Sequence, residues 1–268
     1  MKPNKLRQAL HVGTPTIGTH LQSAWPSIVE VVGHSRQYDY IEFVAEYAPF
    51  DLYALENICR AAELYDMGAM IKIDQEPRRF LAQRAIGSGF DSVLFADVRT
   101  PEDARECVRA VRPETPEDGG THGVAGRRIA YMKKGGTAEY VEALRAVVVA
   151  VMIEKRSAVE RLEEILATPG LDMAQWGPAD YCMSIGRPGA CADPEIRAIE
   201  RTVIETSLRM GVTPRAEIQT ADQAQYYLDL GVRHFCMGTD LNILFDWFCE
   251  QGSALRDTLP PAASGVGA

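Results

Sequence analysis

Residues 147–156, VVVAVMIEKR, and residues 173–189, MAQWGPADYCMSIGRPG, decide how this chain is read. Each contains a stretch that reads as a buried strand, and in each an acid follows it: Glu154 in the first, Asp180 in a Gly-Pro-Ala-Asp turn in the second. Acids at the C-terminal ends of strands fall where an open-mouthed α/β fold puts its chemistry. Two carboxylates brought together there repel unless a cation lies between them, and a hard divalent metal held by two acidic oxygens and several waters is the expected occupant. A lone acid at a strand end is more often a helix cap or an ion-pair partner. What shifts the weight is the turn before Asp180. Gly177, Pro178 and Ala179 combine flexibility, rigidity and small size, which suits backbone N–H groups turned towards an anion such as a substrate carboxylate.

On both sides of these stretches strand-like and helix-like segments alternate almost throughout, the pattern of parallel strands joined by helical crossovers. The predicted strands are 16–21, 40–45, 69–73, 92–96, 147–153, 172–176, 215–218 and 234–237, and eight is the number that closes an α/β barrel of the (β/α)8, or TIM, type. A chain of 268 residues has the usual length of one such barrel. Residues 1–259 are therefore expected to form a single domain, and the tail 260–268, PPAASGVGA, to be disordered. Asp51, Thr100-Pro101, Ser157 and Thr220 are predicted to open helices, each as a cap with acids in the first turn or with Pro at the first helical position. A last helix over 241–251 carries Phe245, Trp247 and Phe248 on one face, suited to core packing or a subunit contact. Residues 112–136, rich in Gly, Pro and charge, form a long loop that reads as a functional lid, a contact or a disordered excursion.

Composition narrows the function classes. With 28 Lys plus Arg against 37 Asp plus Glu, the chain carries a formal charge of −9 and has no long basic cluster, which argues against nucleic acid and anionic membranes as partners. The start, MKPNKLRQALHVG, lacks the apolar core of a signal peptide, and no window has the apolar length of a membrane span. The six cysteines are scattered without CxxC spacing, so a reduced, cytoplasmic chain of mostly buried thiols is expected rather than a zinc-thiolate site.

From about residue 18 to residue 247 the sequence resembles the HpcH/HpaI aldolases, the metal-dependent pyruvate aldolases that include 4-hydroxy-2-oxoheptanedioate aldolase. The resemblance rests on EYAPFD (46–51), VMIEKR (151–156), GLDMAQWGPADYCMSIGRPG (170–189), DPEIRAIE (193–200), YLDLGVRHFCMGTDLNIL (227–244) and the 26-residue separation of Glu154 and Asp180. It implies a (β/α)8 barrel assembled as a homohexamer, a trimer of dimers, with Mg²⁺, Mn²⁺ or Co²⁺ bound by Glu154 and Asp180. It further implies a 2-oxo acid that chelates the metal while the backbone of Gly177, Pro178, Ala179 and Asp180 holds its carboxylate. The metal then acts as a Lewis acid that stabilises the enolate formed when the adjacent C–C bond breaks.

The departures from the family pattern are chemical. Tyr47 stands where the family usually has a His, and Val44 where it has the Asp paired with that His for proton transfer. Tyrosine titrates near pH ~10, which makes Tyr47 a weaker general base and leaves it the roles of hydrogen-bond donor or acid. Lys72 replaces an Arg that polarises the keto oxygen, keeping the charge without the planar fork. His20 replaces an aromatic at the end of the first strand. It is expected to supply the missing base from another direction or to be a hydrogen-bonded part of the pocket wall. Glu46 and Glu42 flank the second strand's end and read as ion-pair partners or as contacts to metal-bound water. On the long loop, His122 is a weaker candidate base, and Arg127, Arg128, Lys133 and Lys134 read first as a solvated basic face. The expected reaction is cleavage of a 4-hydroxy-2-oxo acid to pyruvate and an aldehyde. Decarboxylase, hydratase and condensing activities share the same platform, and a non-catalytic 2-oxo-acid-binding barrel is the alternative from another class.

Overall fold

All eight predicted runs become strands, with ends moved by no more than two residues: β1 Thr16–Leu21, β2 Tyr40–Val44, β3 Gly68–Ile73, β4 Ser92–Phe95, β5 Val148–Ile153, β6 Met173–Trp176, β7 Thr213–Ile218 and β8 His234–Thr239. They pair in parallel in chain order and β8 pairs back onto β1, closing a barrel in the computed structural model. It describes residues 3–124, 128–131 and 133–260, so Arg127 and all but the first residue of the predicted disordered tail lie outside it. Closure removes the unpaired edges of the sheet, and β2 to β6 are buried along their whole length.

The connecting helices are α1 Lys5–Val12, α2 Pro26–Ser35, α3 Leu52–Leu64, α4 Arg78–Ser88, α5 Pro101–Val111, α6 Ala138–Arg145, α7 Arg156–Glu160, α8 Leu162–Leu166, α9 Pro178–Ser184, α10 Pro194–Arg209, α11 Ala224–Asp229 and α12 Asp240–Thr258. Side chains alternate across a strand, so each strand feeds two cores. The outer one lies between strands and helices and includes Ile41, Phe43, Ile71, Val93, Val149 and Ile153. The inner one fills the barrel with Tyr40, Met70, Leu94, Val148, Ala150, Met152 and Met173, and Leu6 of α1 closes its floor. Gly18 makes room for this filling: a Cβ there would lie 2.3 Å from Cζ of Tyr40, whose hydroxyl donates to the carbonyl of Phe235 at 3.1 Å. Towards the strands' C-terminal ends the interior turns polar, with His20, Glu42, Lys72, Gln175 and Arg215 all buried.

The helix starts follow local chemistry with two exceptions. Asp51 caps α3 by accepting from the N–H of Ala54, and Thr100 and Asp103 form a reciprocal capping box on α5. Thr220 precedes a single tight turn, Ala221–Gln223, before α11, and its side chain makes no cap bond. Ser157 is not a cap: α7 starts one residue earlier, after Lys155, and the predicted single helix is broken at Arg161.

Three expectations change. The described residues of the long loop do not cover the mouth. The loop follows a helix and precedes a strand, and helices run back to the strands' N-terminal ends, so it lies under the barrel floor. Arg112 donates there to the carbonyls of Leu144, Val147 and Gly170, and Arg128 pairs with Glu63 and donates to the carbonyl of Ser88. His122 is buried rather than solvated, edge-on to Tyr140. The apolar face of α12 does not pack into this chain's core: residues 241–260 are all exposed, Phe245 by 66%, Trp247 by 58% and Phe248 by 62%. The cysteines are free, and four of the six are buried. Among the described residues no helix is long and apolar enough to cross a membrane.

Candidate active site

The C-terminal ends of the strands open into a cleft of ≈ 790 Å³. A second cavity, of ≈ 820 Å³, lies at the floor where Pro3, Asn4 and Arg128 meet α3 and α6, away from both predicted acids. The cleft gathers Glu154, Asp180, Lys72, Tyr47, His20 and the Gly177 to Asp180 turn, and His122 is not part of its wall.

Glu154 follows β5 and is buried. The backbone N–H of Asp97 donates to its Oε1 at 2.7 Å. Its other side lies against Gly177, where an added Cβ would come within 2.6 Å of the Glu154 Cβ and 2.7 Å of Oε2. Only a residue without a side chain lets the turn approach the carboxylate this closely. Burial pushes the Glu154 carboxyl up to about 7, against the pull of the Lys72 ammonium, and Asp180 adds to the rise. Asp180 sits in the first turn of α9, half-exposed, its Oδ1 2.7 Å from Nζ of Lys155. Lys155 also meets Asp97 at 2.5 Å, which explains why the residue at the cap of α7 turns its side chain inward. Two carboxylates on neighbouring strand ends, one buried and one open to solvent, form an all-oxygen donor set. That set fits a hard divalent ion, with room left for water or a ligand.

Lys72, at the end of β3, is buried with Nζ 2.7 Å from Oε2 of Glu46 and 5.1 Å from the centroid of the Tyr47 ring. Burial works against its charge, but Glu46 and Glu154 outweigh that and hold the ammonium protonated. Tyr47 is largely exposed, and partial burial beside Glu46 raises its hydroxyl pKa despite Lys72, which removes it as a base near neutrality. Glu46 is thus the ion-pair partner of Lys72.

Across the mouth lies a second polar group that sequence reasoning saw only in part. His20 of β1 stands beside Glu42 of β2 in register, its Nε2 3.0 Å from Oε1. Its Nδ1 faces Oε1 of Glu217 on β7 at 3.5 Å. Glu42 also forms an ion pair with Arg215, and both are fully buried. The guanidinium lies 5.5 Å from the Tyr40 ring centroid and reaches Sδ of Met70 at 3.3 Å. Burial alone would raise the Glu42 carboxyl, but Arg215 and His20 hold it at about 2. Burial likewise opposes charge on His20, and Cys236 and Glu42 reverse that, holding the imidazole well above its ordinary value. Arg215, Glu217, Asp97 and Lys155 were not singled out from the sequence. For the β7 pair a signal existed: Arg215 and Glu217 are two apart in a strand, so both face inward.

A protein-family model described as HpcH/HpaI aldolase/citrate lyase matches residues 16–246. The chain belongs to this family. Its curated relatives include a 5-keto-4-deoxy-D-glucarate aldolase from Klebsiella pneumoniae, 26% identical over 242 residues, covering 90% of this chain and 92% of the relative. A 2-keto-3-deoxy-L-rhamnonate aldolase from Escherichia coli is 28% identical, covering 91% and 90% respectively. Among solved structures, an HpcH/HpaI aldolase/citrate lyase family protein from Burkholderia cenocepacia superposes with a TM-score of 0.85 at 28% identity, covering 94% of this chain and 99% of that one. Family membership makes the chain an enzyme of the aldehyde-lyase type. Tyr47 and Val44, where the resemblance led to the expectation of a His/Asp pair, are exposed and buried respectively, and the imidazole in the described cleft wall is His20 of β1.

Proposed function

We propose that this chain is a divalent-metal-dependent aldolase that cleaves a 4-hydroxy-2-oxo acid to pyruvate, or a related 2-oxo acid, and an aldehyde. The observation that carries this reading is the convergence of Glu154 and Asp180 in one cleft beside the buried, cationic Lys72. The two acids are the proposed ligands of Mg²⁺, Mn²⁺ or Co²⁺. Such an ion supplies Lewis acidity at the 2-oxo group. Lys72 holds a fixed positive charge towards the oxygen on which negative charge develops as the C–C bond breaks, and it acts strongly because it is buried. Gly177, Pro178, Ala179 and Asp180 form the start of α9; Gly177 donates to the carbonyl of Ile153 and Pro178 has no N–H, so the N–H groups of Ala179 and Asp180, which precede the first intrahelical bond, are the ones available to a substrate carboxylate. Trp176 and Val44, both buried in the wall, limit water at the reacting carbons. His20 and Tyr47 are the side chains proposed for proton transfer.

The test is ¹H NMR of the pyruvate methyl group in D₂O with Mg²⁺ or Mn²⁺. Metal-dependent exchange in the wild type, abolished in Glu154→Ala, is the expected result. Bound metal with no exchange and no cleavage of 4-hydroxy-2-oxo acids would sink the reading. The proposed assembly is a homo-oligomer of the hexameric kind, supported by the apolar face that α12 leaves exposed.

A further inference from the structure

The proton inventory of the cleft lacks one role. Tyr47, its hydroxyl pKa raised by partial burial, is a weak donor near neutrality, Lys72 is committed to Glu46, and Lys155 is shared by Asp97 and Asp180, all on the β2 to β6 side of the mouth. On the opposite side, β1 and β7 present His20 and Glu217. A 2-oxo acid gripped by the β5 and β6 turns would share one cleft with that side.

The state of His20 follows from what surrounds it. Each ring nitrogen faces a carboxylate oxygen, Glu42 from β2 and Glu217 from β7. A neutral imidazole has one N–H and one lone pair, so it would set a lone pair against one of these oxygens; an imidazolium meets both with positive charge. The other charged or titratable groups packed around the pair are Arg215 of β7, which is paired with Glu42, Cys236 of β8 and Lys72 of β3. Arg215 keeps Glu42 ionised and so keeps a negative charge fixed behind the ring. His20, Glu42 and Cys236 also offer three ligand atoms within 4.8 Å of one another. A cation there would stand beside the Arg215 guanidinium, which already neutralises Glu42, so the cluster is suited to a proton rather than a metal.

We propose that His20 is the general acid of this site, an imidazolium held between Glu42 and Glu217 that delivers a proton to the third carbon of the 2-oxo acid after the C–C bond has broken. This rests on the aldolase reading above. In the step, the electron pair left on the carbon side forms the new C–H bond. The Nδ1–H bond breaks, and its electrons stay on the ring. Glu217, which also lies within 3.3 Å of Gln175 and is open to solvent, takes up a solvent proton and relays it to Nδ1. The proton gained by carbon balances the one lost from the 4-hydroxyl group to solvent. Glu42 is a positioning residue, acting through His20 rather than on substrate. The family's His/Asp pair on the β2 side is thereby replaced by a His/Glu pair on β1 and β2, with the opposite resting charge state.

The experiment compares two reactions that share an enolate. Oxaloacetate generates it by losing CO₂, which needs no proton donor, whereas methyl exchange of pyruvate in D₂O needs proton transfer at carbon. The expected result for His20→Gln is a fall of about 100-fold in the ratio of exchange to CO₂ release. Removal of a methyl proton needs the neutral imidazole, so Glu42→Gln, which takes away a charge that holds the ring protonated, is expected to move the acid limit of exchange to lower pH while leaving metal affinity as it was. Nitrogen-15 NMR of histidine-labelled wild type, assigned by loss of the signal in His20→Gln, is expected to show both ring nitrogens protonated at pH 8. An unchanged ratio in His20→Gln, or a neutral ring at pH 8, would overturn the proposal alone. Absence of metal-dependent CO₂ release and exchange in the wild type would overturn the aldolase reading with it. A metal equivalent retained by Glu154→Ala and lost in Cys236→Ala would make the cluster a metal site and overturn the acid role.

Discussion

Glu42 is a carboxylate sealed from water, and its charge is held by Arg215 first, then His20, with Lys72 adding to them. Removing one partner of a buried pair leaves the other bare, so Arg215→Met is expected to cost about 3–5 kcal/mol in urea unfolding, while a double change to apolar residues of similar volume costs far less. His234 shows the opposite environment. Burial, helped by Arg215, lowers its imidazole to about 4, and its Nδ1 lies 2.9 Å from Oγ1 of Thr16. The unfolded chain binds this proton near 6.5, so the associated stability is present above that pH and is lost as the pH falls towards about 4. The expected loss is about 3 kcal/mol between these limits, and His234→Asn is expected to flatten that part of the stability profile. At this scale Glu154, Lys72 and His20 were legible as cleft residues because each lies at the end of a recognisable strand, and Asp180 because a Gly-Pro-Ala-Asp turn follows one. The state of His20 was not, because it depends on residues from β2 and β7 that no local spacing links.

The strands were legible as elements because runs buried on both faces leave an unmistakable apolar pattern, and the helix starts were legible where a side chain caps its own helix. Sequence reading failed at α7, where Lys155 is drawn inward by Asp97 and Asp180, and at the long loop, whose role follows from which end of the barrel it reaches. Arg128→Ala, which breaks the loop's attachment to Glu63 and to the carbonyl of Ser88, is expected to lower stability by about 1–3 kcal/mol and to leave KM unchanged. The turn between β6 and α9 behaves oppositely. Gly177→Ala would drive a methyl group into Glu154, so it is expected to weaken metal binding at least tenfold by titration calorimetry, with a smaller effect on thermal stability.

For the molecule as a whole, the length and the eight-fold alternation were enough to specify a closed barrel. The placement of α12 was not, since an amphipathic pattern says that a face will be covered without saying by which chain. A Phe245→Glu, Trp247→Glu double variant is expected to lower the molar mass measured by light scattering and to leave the barrel's circular dichroism intact. The buried pair inside the barrel has a consequence of its own at this scale. Glu42 belongs to β2 and Arg215 to β7, so cutting the chain between β4 and β5 would put an acid in one fragment and its buried guanidinium partner in the other. Neither half-barrel can shut around its own charge. Fragments 1–136 and 137–268 are therefore expected to stay unfolded apart and to fold on mixing, which makes this barrel a single cooperative unit rather than two joined halves.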